Sequence, residues 1–221
     1  MVDIAIFDLD YTLTKRGTWA RFVIRNVLYK PWLWLPLGLS TAWAQWQYKK
    51  DKIDRINVKQ AMMRWSMVGQ SRRSMERLAE DFATKEVKTG LRLGAIKALE
   101  HHRSAGDMII IASAAVDLIV APIAKHLGIT QWVATEMKWD NDKLAPEFAS
   151  PNCYGSEKLH RVKKLLSDNP ELKQTNTVIT MYTDSYSDLE ILRFSDNGVA
   201  VNADRELREA AKGENFDVVE W

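Results

Sequence analysis

The apolar run Ile4-Ala5-Ile6-Phe7 is followed at once by Asp8-Leu9-Asp10-Tyr11-Thr12, so a strand-like segment ends on two carboxylates. A short apolar run of this kind reads as a strand buried on both faces, which confines it to the interior of a sheet covered by helices. In open α/β sheets the ligand site lies beyond the carboxyl ends of the strands, which is where Asp8 and Asp10 stand. Side chains two residues apart in extended backbone point the same way, so both carboxylates face one site unless the chain turns between them. Brought together unpaired they repel, and each is pushed toward its protonated form unless a cation balances the charge. The pattern predicts a metal ion.

The rest of the chain fits such a sheet. After Gly90 a helix over 91–104 precedes an apolar strand over 108–112 that stops at Ser113. A helix over 116–126, bent at Pro122, ends before Gly128 and leads to a strand over 132–135. Asp140-Asn141-Asp142 is a polar turn suited to a small hairpin. Ser156 is placed to cap a helix reaching residue 166, and a strand over 177–183 ends at Asp184. A helix over 189–194, a strand over 198–201, a helix over 205–211 and a strand over 217–219 complete the alternation.

Residues 15–89 break this rhythm and read as helical throughout. Val58, Ala61, Met62, Trp65 and Val68 recur at helical spacing, as do Met75, Leu78, Ala79 and Phe82 after Ser71 or Ser74 as a cap. The expected fold class is α/β: a three-layer, Rossmann-like, mainly parallel sheet core formed by 1–14 and 90–221, with an all-helical cap inserted at 15–89.

A hydrophobic content of 46% with 27% charged residues excludes a disordered chain. Cys153, the one cysteine, cannot form an internal disulfide, which suits a reducing compartment and a loop residue without redox duty. No basic leader precedes the first strand, so the expected location is cytoplasmic. Charge is divided: residues 15–88 hold 16 Lys and Arg against 6 Asp and Glu, a net of +10, while the whole chain carries only +2. Six of the nine tryptophans lie in the same basic stretch.

Asp8-x-Asp10-x-Thr12, Ser113, Lys158 near a helix start, and Thr183-Asp184-Ser185-Tyr186-Ser187-Asp188 occur in that order, three of the four at strand ends. This series resembles the four-motif signature of the haloacid-dehalogenase-like (HAD) hydrolases over essentially the whole chain. The helical insertion looks like the C1-type cap of the subfamily IB members similar to phosphoserine phosphatase. The resemblance implies phosphoryl transfer, with Asp8 as the nucleophile that forms an aspartyl phosphate. It implies Mg²⁺ held by Asp8, Asp184 and the backbone carbonyl of Asp10, with Asp188 as a ligand or bonded to metal-bound water. Lys158 and Ser113 would contact the phosphoryl oxygens, Asp10 would serve as general acid and then general base, and Thr12 would orient the loop. Because a halide leaves without a proton and an alcohol does not, Asp10 favours a phosphatase over a dehalogenase.

Two departures bear on the substrate. Phosphoserine phosphatases carry a glutamate nine residues after the nucleophile, where this chain has Gly17, so a zwitterionic amino-acid phosphate loses its charge partner. The fourth motif has Ser185 in place of glycine. The residues 31–48 contain no charge, with Trp32, Trp34, Trp43 and Trp46 toward their ends and Lys30, Lys49 and Lys50 flanking them. A single membrane crossing there would separate Asp8 from Asp184. The remaining options are a packed cap helix or dimer contact, a helix in peripheral contact with an anionic membrane at its inner face, or a shallow re-entrant loop. Relatives with a similar apolar cap segment act on phosphatidylglycerophosphate, so the expected partner is a phosphorylated small molecule or a lipid phosphate. No nucleic-acid-binding module accompanies the basic residues, and no nucleic acid is expected. An alternative of another class is a catalytically vestigial protein that binds a membrane surface or a partner. His101-His102 has no ligand partner at a suitable spacing.

Overall fold

The structure, a computed structural model, describes residues 2–169 and 177–221. Strand β1 (Ile4–Phe7) is central in a six-stranded sheet. It pairs in parallel with β2 (Met108–Val116) on one side and β6 (Ile179–Thr183) on the other, with Phe7 opposite both Ile111 and Tyr182. Beyond β2 lies β3 (Gln131–Thr135). Beyond β6 lie β7 (Asn197–Val201) and β8 (Phe216–Val219), giving the order β3-β2-β1-β6-β7-β8 with every pairing parallel.

The apolar run needs no polar face because both faces are covered. Ala5, Phe7 and Ile111 pack with α5 (Leu93–Ala105), α6 (Asp117–His126) and the inserted helices. Ile4, Ile6 and Ile110 pack on the opposite face with α7 (Ser156–Asp168), α8 (Leu189–Phe194) and α9 (Arg205–Ala211). Full burial of each such side chain contributes about 1.5–3 kcal/mol, and the alternation along β1 joins the two cores into three layers.

Four α-helices stand between β1 and α5: α1 (Thr18–Val27), α2 (Trp34–Tyr48), α3 (Arg55–Ser66) and α4 (Arg72–Lys85). Where the chain leaves and re-enters the sheet layer, its two passes are tied together. Thr14 and Leu91 form an antiparallel bridge, Lys15 N donates to Gly90 O at 2.8 Å, and Arg92 N donates to Leu13 O at 3.0 Å. The expected hairpin is present as β4 (Met137–Asp140) and β5 (Lys143–Phe148). Its two-residue loop takes the left-handed backbone that short hairpins require, with Asn141 at φ 46° and Asp142 at φ 64°.

The structure differs from the sequence expectations locally. β2 continues past Ser113 to Val116, with its pairing to β3 shifted between Ala112 and Val116. Ser156 is the first residue of α7 rather than its cap, and Gly155 precedes it at φ 59°. Ser71, not Ser74, caps α4, its Oγ accepting from Ser74 N at 3.3 Å. On α3 the buried residues are Lys59, Met63 and Ser66, and Trp65 is exposed. The expected stripe is rotated because Lys59 has a polar partner deep in the fold, which apolar periodicity does not anticipate. Cys153 lies in a loop but is fully buried, and burial pushes its thiol up to about 11.

Candidate active site

Asp8 takes its backbone hydrogen bond from the sheet, its N–H donating to Tyr182 O at 2.9 Å, and the chain then leaves β1 in one wide turn closed by Thr14 N on Leu9 O. Tyr11, inside this turn, sits at φ 63°. The turn reverses the chain without taking Asp10 away: Asp8 and Asp10 line one cavity of about 210 Å³ at the carboxyl end of the sheet. Ser113, Lys158, Asp184 and Asp188 line it too, so six of the seven residues singled out in the sequence meet there. Thr12, the seventh, is fully buried and donates from Oγ1 to Asp184 Oδ1 at 3.2 Å, which joins the first and last motifs.

Lys158 is 2% exposed and holds two carboxylates at once, Asp8 Oδ1 at 2.8 Å and Asp188 Oδ2 at 2.7 Å. Asp188 Oδ2 also accepts from Thr183 Oγ1 at 2.7 Å. Of the three lysines on α7, this is the one turned inward by its helical position; Lys163 lies over the Phe194 ring instead. Desolvation by burial opposes the Lys158 charge, yet the two carboxylates outweigh it and keep the ammonium protonated. Burial raises the Asp8 carboxyl to about 8, with Lys158 opposing and Asp188 and Asp184 reinforcing the shift. Burial likewise raises Asp184 to about 6, against the hydrogen bond from Thr12.

Asp10 has a different environment. Its Oδ1 accepts from Thr18 N, the first residue of α1, at 2.9 Å, and burial raises its carboxyl above the ordinary range. Ser113 Oγ accepts from Ala115 N at 3.1 Å, which leaves the hydroxyl hydrogen to be donated elsewhere.

Three further residues were not singled out in the sequence. Arg55 and Tyr154 line the cavity, with the guanidinium 4.8 Å from the ring centroid. Lys59, one turn along α3 from Arg55, donates to Ala114 O at 2.5 Å and Asn152 Oδ1 at 2.7 Å, pinning the insert beside Ser113. Burial lowers the Lys59 ammonium to about 8, and Arg55 adds to that shift. The signal for Arg55 and Lys59 was two cations four apart on one side of a predicted amphipathic helix. A Cβ on Gly17 would approach Tyr11 Oη to 3.3 Å, so the tyrosine ring fills the space beside the position where a glutamate was absent.

The family model for haloacid dehalogenase-like hydrolases matches residues 5–193. The chain belongs to that family. Among HAD hydrolases it is 25% identical over 228 residues to a histidinol-phosphatase of Neisseria meningitidis serogroup C, covering 100% of each chain. It is 25% identical over 226 residues to a phosphoserine phosphatase of Mycobacterium tuberculosis, covering 97% of this chain and 69% of that one. Its fold matches a protein of unknown function from Bordetella pertussis Tohama I with a TM-score of 0.84 at 20% identity, covering 99% of both chains. A substrate-bound phosphoserine phosphatase matches with a TM-score of 0.68 at 13% identity, over 99% of this chain and 93% of the other. The fold is that of HAD hydrolases: a six-stranded parallel core with a helical insert after β1.

The donors of this HAD site suit a hard cation. They are oxygens, and four carboxylates share one cavity with Lys158 and Arg55. Asp188 Oδ1 is buried with no hydrogen-bond partner among the described residues. No group of three His, Cys, Asp or Glu side chains among the described residues is set as a ready metal cage, and Mg²⁺ needs none, since one or two carboxylates with waters hold it. Larger hollows open elsewhere, including one of about 310 Å³ lined by Arg72, Asp117 and Trp139, but none of its carboxyls is fully buried or paired with a buried cation.

Proposed function

We propose that the protein is a Mg²⁺-dependent phosphomonoesterase that works through an aspartyl-phosphate intermediate on Asp8. The observation that carries this reading is the division of labour between carboxylates two residues apart: Asp8 is held by Lys158, and Asp10 is held by Thr18 N. Asp8, whose ionised form Lys158 favours against the effect of burial, forms a bond from its carboxylate oxygen to phosphorus as the bond from phosphorus to the leaving oxygen breaks. Asp10, whose raised affinity for a proton suits a general acid, protonates that oxygen. It then takes a proton from water, which attacks the aspartyl phosphate and releases inorganic phosphate and free Asp8. Ser113 donates its hydroxyl hydrogen to a phosphoryl oxygen, and Lys158 balances the accumulated negative charge. Asp8, Asp184 and the Asp10 carbonyl would hold Mg²⁺, which supplies charge neutralisation at the phosphate, while Asp188 and Thr12 position Lys158 and Asp184. Residues 15–89 serve as the cap over the core of 1–14 and 90–221, and Arg55 is the cap's contribution to the substrate-facing wall.

The complete set of paired groups supports an active site rather than a vestigial one. A phosphorylated small molecule is the first substrate class. A lipid phosphate is the second, favoured by the exposed apolar side of α2 on the insert that supplies Arg55. The test is a panel of an aryl phosphate, histidinol phosphate, phosphoserine and a phosphatidylglycerophosphate in micelles, with and without Mg²⁺. Asp8→Asn is expected to abolish every activity found. Hydrolysis undiminished in that variant would end the proposal.

A further inference from the structure

We infer that the outward side of α2 is a docking surface for an anionic lipid bilayer, on which the helix lies flat. The inference holds whether the substrate is soluble or a lipid. A helix apolar on all sides is ordinarily buried on all sides. α2 is covered on one side only: Leu37 and Ala44 are its buried residues, and Ser40 Oγ donates to Ala61 O of α3 at 3.2 Å. Its other side presents Leu35, Leu39, Trp43 and Trp46 at spacings of four, four and three residues, and each is exposed. Trp32, in the turn that leads into α2, is 70% exposed, and Trp43 and Trp46 stack on each other at 5.0 Å. These side chains are therefore neither cap core nor spare packing.

Charge selects the occupant. From Tyr11 to Lys50 the chain carries seven basic residues and no acidic one. The charges stand at the ends of the apolar stripe: Lys30 before it, and Lys49, Lys50 and Lys52 after it with Asp51 among them, a net of +3 over these five, and Lys52 Nζ lies 5.6 Å from the Trp46 ring centroid. Two copies meeting through this face antiparallel would bring the lysines of one end against those of the other, with Asp51 alone set against Lys30, Lys49, Lys50 and Lys52 in each copy and no carboxylate within the stripe. An anionic lipid surface accepts both parts, the lysines at the headgroups and the indoles at the boundary that tryptophan favours. A 15-residue helix is about 22 Å long, short of the hydrocarbon thickness, and no described helix is long and apolar enough to cross a membrane. The helix accordingly lies in the interface rather than through it.

The experiment is sedimentation of the full chain with vesicles of phosphatidylglycerol and phosphatidylcholine, against phosphatidylcholine alone, at low salt and at about 0.5 M salt. The expected result is binding to the anionic vesicles at low salt and release at high salt. Lys49→Gln/Lys50→Gln is expected to weaken binding roughly 30-fold, and Trp43→Ser/Trp46→Ser by more than about tenfold. Both variants change exposed side chains, and their far-UV circular dichroism and thermal midpoints should match the parent's. Absence of binding at low salt, binding that neither variant weakens, or a lipid-free dimer that Trp43→Ser/Trp46→Ser dissociates would each overturn the inference. None of these readouts depends on phosphatase activity, so failure here leaves the catalytic reading standing.

Discussion

The carboxyl end of the sheet and the outer side of α2 treat water in opposite ways. At the sheet, ionisable groups are taken out of water and paired: Lys158 lies between Asp8 and Asp188. Along α2 and the turn before it, four tryptophans at positions 32, 34, 43 and 46 are left in water while lysines keep to the ends. Neither arrangement is what stability alone selects. A buried ion cluster is often no more stable than apolar residues of the same shape, and a contiguous exposed apolar patch favours association. Both regions therefore mark places where binding or chemistry, rather than folding, chose the residues.

Breaking the buried cluster should have the largest effect. Lys158→Met leaves Asp8 and Asp188 without their cation and should destabilise the metal-free protein by about 3–5 kcal/mol in urea unfolding, with phosphatase activity lost. A neutral outcome would mean that the cluster is not held by this charge.

A second test concerns a partly buried carboxylate away from the site. Burial raises Asp117 to about 6 in the folded protein, against an ordinary value near 4, while its Oδ1 accepts from Leu118 N and Met137 N. The folded state holds this proton more tightly than the unfolded chain does, so stability falls as pH rises from about 4 to about 6. The loss should be about 2 kcal/mol, and Asp117→Asn, which keeps the acceptor, should remove that part of the slope in unfolding measured across the window. An unchanged slope would assign it to other groups.

The insert offers two smaller tests. Arg55→Ala should raise KM for a phosphate ester about tenfold with kcat nearly unchanged, because the residue lines the cavity without touching Asp8. A fall in kcat alone would place it in the chemistry. Ser71→Ala removes the cap of α4 and should cost about 1 kcal/mol in urea unfolding without altering steady-state kinetics. A kinetic change would mean that α4 shapes the cavity.

The two regions also differed in how much their sequence disclosed. The sheet and its motifs were legible because the signals are local: an apolar run, then a polar residue where the strand ends at Asp8 or Asp184. Strand order and the convergence of Asp8, Ser113, Lys158 and Asp184 follow once those strands are parallel neighbours. The helical character of the insert was legible for the same reason. Which side each inserted helix buries was not. On α3 the inward position belongs to Lys59, a residue that periodicity assigns to solvent, and on α2 apolar residues occur on every side. Burial there is decided by what lies opposite, the carbonyl of Ala114 and the amide of Asn152 for Lys59, and those partners are remote in sequence. Arg55 and Tyr154 meet across 99 residues for the same reason and carried no local sign.

The central claim is that Asp8 becomes covalently phosphorylated. Turnover of an aryl phosphate in the presence of Mg²⁺, quenched in acid and followed by peptide mass spectrometry, tests it directly. The account predicts a phosphoryl group on the peptide that holds Asp8, absent from Asp8→Asn and enriched in Asp10→Asn, where the second proton transfer is impaired. Steady turnover with no phosphoryl group on Asp8 in either the parent or Asp10→Asn would contradict it.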